Sequence, residues 1–78
     1  MREASVDEVV VSVADESLAH LPTVVAALRD AGMVVRDVLA GLGVVTGSVA
    51  AGGGDRLGTV PGVAHVEVDR AVELPPEV

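Results

Sequence analysis

A turn followed by an alternating run, Val60-Pro61-Gly62-Val63-Ala64-His65-Val66-Glu67-Val68-Asp69, constrains this chain more than any other feature. Pro61-Gly62 is a turn signal. From Val63 onward the alternation sets Val66 and Val68 on one face of a strand and His65, Glu67 and Asp69 on the other. One face is core and the other is available. The residues that follow, Arg70-Ala71-Val72-Glu73-Leu74-Pro75-Pro76-Glu77-Val78, end in paired prolines that exclude helix and favour an extended backbone. An ordered core over about 7–70 and an extended tail over 71–78 are therefore expected within one domain.

The strand needs a sheet to join, and the rest of the chain supplies one. Residues 7–14 form a β-branched run with Val9, Val11 and Val13 on one face and Val10 and Ser12 on the other. Asp15-Glu16-Ser17 offers helix-starting side chains, and Pro22 is tolerated only in a first turn, so a helix is expected to begin between Leu18 and Leu21. Leu21, Val24, Val25 and Leu28 fall at i, i+3, i+4 and i+7, and Gly32 supplies the stop. Residues 33–39 read as a second strand, with Arg36-Asp37 marking an edge. After a loop at 40–43, residues 44–49 read as a third strand forming a hairpin with the second. Gly47 blurs its alternation and leaves its inward face open.

Residues 50–59 call for a helix by position, with Leu57 and Val60 inward. Gly52, Gly53, Gly54 and Gly58 each cost about 1 kcal/mol relative to alanine in a helix interior. A short helix is expected, one form of which starts at Asp55 with that side chain as its cap. Gly52-Gly53-Gly54-Asp55 is a flexible connection rather than a phosphate cradle, because its spacing is wrong and an acid follows directly.

The expected order is strand, helix, strand, strand, helix, strand. Two βαβ halves of this kind give an α+β, ferredoxin-like βαββαβ fold: a four-stranded antiparallel sheet of order 4-1-3-2 with both helices on one face. Residues 9–14 and 44–50 look alike, as an internal duplication would make them. A core without Phe, Tyr or Trp must be built from Val, Leu, Ala and two Met, and a domain of 78 residues buries only about 60% of its unfolded surface. Its stability should be small.

Composition narrows the chemistry. Without cysteine there is no disulfide framework and no thiolate; without Lys there is no Schiff-base amine. Five cations, all Arg, against 12 acids give a net charge of -7, which argues against nucleic acid. His20 and His65 read as surface polar groups, so no metal and no cofactor are expected. A triad of Ser12 or Ser48 with His65 has no supporting motif, so the chain is not expected to be an enzyme. Residues 1–8 carry acids where a signal peptide has a basic start, and no apolar run approaches a membrane span, so a cytoplasmic location and no membrane partner are expected.

Gly43-Val44-Val45-Thr46-Gly47-Ser48-Val49, then Val60-Pro61-Gly62-Val63, Val66-Glu67 and Asp69, resemble the pattern of subtilisin propeptides and the stand-alone serine-protease inhibitors related to them, over nearly the whole length from Val9 to about Leu74. The resemblance implies a ferredoxin-like fold whose open sheet face packs on two surface helices of a subtilisin-type protease. It implies that Glu67 and Asp69 cap the N-termini of those helices, and that Ala71, Val72, Glu73, Leu74 and Pro75 lie in the cleft as an added strand. The sequence departs from the family at Pro75, which stands where the cleavage-site residue belongs. A register slipped by one would put Leu74 there and proline after the scissile bond. A folding assistant acting in trans would share every contact with an inhibitor. The alternative is a self-associating or small-molecule-binding module, monomeric or paired as a homodimer through its open sheet face.

Overall fold

The chain's order of elements follows from where its valine runs sit. The computed structural model describes residues 6–72, with side chains described for 6–69. β1 spans Val6–Val13, one residue earlier at each end than the β-branched run suggested. Its odd-numbered residues Val9, Val11 and Val13 are buried, and its even-numbered ones Glu8, Val10 and Ser12 lie on the opposite face. The parity that buries those valines also buries Asp7.

Asp15, Glu16 and Ser17 lie in a 3-10 turn over Asp15–His20 that leads into the helix, which begins at Leu21, inside the expected range of Leu18 to Leu21. Helix α1 then runs Leu21–Asp30, with Pro22 in its first turn and no side-chain cap at His20. Leu21, Val24, Val25 and Leu28 make its buried stripe. The helix ends in a Schellman motif: Met33 N–H donates to the Leu28 carbonyl at 3.0 Å, Gly32 N–H donates to the Arg29 carbonyl at 3.0 Å, and Gly32 takes φ 105°. Met33 and Leu28, the two residues bridged, are both buried.

β2 (Val34–Leu39), a 3-10 turn over Ala40–Leu42, Gly43 in the left-handed region, and β3 (Val44–Ala50) form the central hairpin. Val45, Gly47 and Val49 face the core, which settles the inward face that Gly47 had obscured. Gly47 is required there, because a Cβ would land on the Val34 carbonyl oxygen. Helix α2 is a single turn, Gly54–Leu57. The expected Asp55 cap is absent: Gly53 holds the N-cap position, no side chain caps it, and Asp55 lies inside the turn. Leu57 and Val60 are buried as expected. Val63 N–H donates to the Val60 carbonyl at 3.1 Å around Pro61 and Gly62, whose φ of 96° is the conformation a type II turn needs at its third residue.

β4 spans Val63–Val72. The four strands form one sheet in the order β2-β3-β1-β4, which counted from the β4 edge is 4-1-3-2, and every pairing is antiparallel. One cluster joins β1, β3, α1, Leu57 and Val60, with Val63, Val66 and Val68 packed on it, so both helices cover the same face of the sheet. The strand passes the expected core boundary at residue 70, because Val72 is opposite Val6 on β1. Ala71 and Val72 therefore end β4 rather than begin a separate tail. Glu73, Leu74 and Pro75 lie outside the described residues.

Candidate functional site

The bare face of the sheet is built in rows by the strand register. Val34, Ser48, Glu8 and Asp69 face one another across β2, β3, β1 and β4 in one row; Asp37, Thr46, Val10 and Glu67 form the next; Leu39, Val44, Ser12 and His65 the third. Paired residues in an antiparallel sheet point to the same face, so each row is a line of side chains on one surface. The two central strands contribute only Ser, Thr and Val between Glu8 and the turn-side end of β3, and most of these are half-buried by their neighbours. The middle of the face is consequently flat. Longer, charged side chains stand at its margins.

Two of those charges neutralise each other. Arg36, on β2, reaches over β3 to donate from Nη2 to Glu8 Oε1 at 2.8 Å. The span is two inter-strand spacings of about 4.8 Å each, within the reach of an arginine. The hydrogen bond to Glu8, and then the Glu8 charge, raise the Arg36 pKa above its ordinary value.

The acids of β4 are placed differently. Glu67 and Asp69 are both exposed on the bare face of an edge strand, two residues apart, as the alternation of the sequence predicts. That spacing sets their Cβ atoms about 7 Å apart along the strand. His65 Nε2 lies 3.8 Å from Glu67 Oε2, a contact between exposed side chains that is ionic only when the imidazole is protonated. Among the described side chains Asp69 makes no ion pair, and its cross-strand neighbour Glu8 is held by Arg36. Glu67 and Asp69 are thus carboxylates presented to solvent at the rim of a flat surface.

Other candidates are not assembled. Ser12 is directly opposite His65, but no hydrogen bond joins them among the described residues, and Ser48 is two rows away. His20 sits exposed at the start of α1. No group of three metal-ligating side chains converges among the described residues, and no helix among them is long and apolar enough to cross a membrane.

One contact near the glycine run was missed by sequence reasoning. Gly52 N–H, an amide of the glycine run, donates to Asp7 Oδ2 at 3.0 Å. The donor a phosphate would need is already occupied by a carboxylate of the same chain. The signal was present in the parity of Asp7 with Val9, Val11 and Val13, which places an acid on the core side where it needs a partner. Compared with models of protein families, with curated proteins and with solved structures, the chain matches none.

Proposed function

We propose that the chain is a ferredoxin-like inhibitor, or a folding assistant in trans, for a subtilisin-type serine protease. The bare sheet face packs on two surface helices of the protease, Glu67 and Asp69 cap the N-termini of those helices, and the chain beyond β4 enters the cleft as an added strand. The observation that carries this reading is the pair of exposed carboxylates two residues apart on the bare face of edge strand β4. Packed helices lie about 8–10 Å apart, and carboxylates about 7 Å apart with freely turning side chains match two neighbouring helix ends. Each carboxylate would satisfy N–H groups left orphaned in the first helical turn and complement the positive end of its dipole.

The flatness of the central rows supports the same reading, since Ser12, Thr46 and Ser48 let helices approach without clash. Val72 is opposite Val6, so Ala71 and Val72 belong to β4, and in this proposal the cleft-binding segment begins at Glu73. Of the two registers, we propose the one with Leu74 in the pocket preceding the scissile bond, because a proline at position 75 would then follow that bond and resist cutting.

The test is titration of a subtilisin-type protease with the purified protein, read by hydrolysis of a chromogenic peptide. The native chain should inhibit at near-stoichiometric ratios. The double variant Glu67→Ala/Asp69→Ala removes two caps worth about 1 kcal/mol each, so its inhibition constant should rise roughly 30-fold. Equal potency of the two proteins would contradict the capping role.

A further inference from the structure

The opposite edge of the sheet carries its own pattern. Val34 is 68% exposed, Val38 and Leu39 42% each, and Leu42, in the turn that follows, 75%. These are four of the six large hydrophobic side chains exposed among the described residues, so the apolar surface is concentrated on β2 and its turn. Edge strands are usually blunted by charge, by Pro, by a bulge or by extreme shortness. β2 has six residues and no Lys or Pro, and its two charges, Arg36 and Asp37, are adjacent and of opposite sign, so they can pair with their counterparts rather than repel them.

Its bulge changes which residues share a face. Val35 is opposite Gly47 and Asp37 opposite Thr46, so Arg36 is the inserted residue. Residues 34 and 39, five apart, would lie on opposite faces of a regular strand. With the insertion, Val34 (opposite Ser48) and Leu39 (opposite Val44) both lie on the bare face, while Val35 (opposite Gly47) and Val38 (opposite Val45) both lie on the helix face. The two halves of the strand have become equivalent about its centre.

We propose that β2 pairs antiparallel with β2 of a second copy of this chain, about a two-fold axis passing between residues 36 and 37 and perpendicular to the sheet. Such an interface is isologous: whatever residue i meets, its counterpart meets in turn. Val34 faces Leu39 of the second copy on the bare side, and Val35 faces Val38 on the helix side. Arg36 and Asp37 face Asp37 and Arg36, so the centre carries two complementary charge pairs and no like-charge contact. Arg36 serves both roles, because one guanidinium nitrogen holds Glu8 and four other N–H groups remain. Its side chain is 55% exposed and open to a second carboxylate.

The assembly is an eight-stranded sheet with all helices on one face and β4 at both outer edges. Glu67 and Asp69 are far from the contact, so the proposal stands apart from the protease reading. A six-residue strand pair is small beside the ~1,200–2,000 Å² of stable interfaces, so the dimer dissociates on dilution.

The test is sedimentation velocity from micromolar to millimolar protein, followed by interference optics because the chain has no Trp or Tyr. The weight-average mass should climb from the 7.8 kDa of one chain toward twice that value. Val34→Glu and Leu39→Lys should each raise the dissociation constant at least tenfold while far-UV circular dichroism stays native. Mixed in equal amounts, the two variants should associate again, because the substituted side chains then face each other with opposite charge. A wild-type protein monomeric at millimolar concentration overturns the proposal. So does a dimer that survives either single substitution, or a mixture of folded variants that stays monomeric.

Discussion

Asp7 and Gly52 are 45 positions apart, and a 3.0 Å hydrogen bond from the Gly52 amide to Asp7 Oδ2 joins them. The contact fastens the turn after β3, where Gly52 takes φ 83°, to the first strand of the sheet. It also fixes the entry to α2, whose own residues form a single uncapped turn. Removing the carboxylate strands a part-buried N–H, a loss of about 1–3 kcal/mol. Asp7→Ala should lower the urea midpoint accordingly, and Asp7→Asn, which keeps an acceptor oxygen, should lower it less. Equal midpoints for all three proteins would show that the bond does not hold the turn.

Gly47 and Gly41 make a controlled comparison. At Gly47 a Cβ would meet the Val34 carbonyl and come within 3.1 Å of Met33 Cε, with backbone rather than a flexible tip as the main obstacle. At Gly41 nothing lies within 4 Å. Gly47→Ala should destabilise by about 2 kcal/mol or more through forced separation of β2 from β3, whereas Gly41→Ala should stay within about 0.5 kcal/mol of the native protein. Thermal unfolding by circular dichroism measures both; similar shifts would refute the close approach of the hairpin strands.

Leu28 and Leu57 are fully buried, one from each helix, in a core that has no aromatic side chain to share the load. Truncating either to Ala removes about 2–5 kcal/mol. A domain of this length holds only about 5–10 kcal/mol in total. Leu28→Ala should therefore leave a substantial unfolded population at room temperature. Leu57→Ala should free α2 and raise hydrogen exchange at Gly58, Thr59 and Val60, whose amides bond back to residues 55–57. Unchanged exchange at those amides would mean that the glycine-rich turn holds itself without Leu57.

Much of this architecture was legible because valine and leucine spacing reports directly on burial. The parity of Val9, Val11 and Val13, the stripe Leu21, Val24, Val25 and Leu28, and the alternation of Val66 and Val68 with Glu67 and Asp69 each survived into the structure. The losses came where local signals compete. Asp55 was displaced as a cap by Gly53, which carries no side chain. The inward face at Gly47 was hidden because glycine has no polarity to read, and its close contact is made with backbone 13 residues away, at Val34. The bulge at Arg36 and the reach of Arg36 to Glu8 depend on three strands lying side by side. No local pattern encodes either one.

The most direct measurement is inhibition of a subtilisin-type protease by the chain cut after Val72, compared with the full chain. The cut leaves every described strand pairing intact and removes only residues 73–78. The shortened protein should remain folded and keep weak binding through Glu67 and Asp69, yet lose inhibition of peptide hydrolysis by at least about 100-fold, since in the proposed complex it is strand addition in the cleft that would compete with substrate. Full potency after the cut, or no inhibition by the full chain in large excess, would contradict the account.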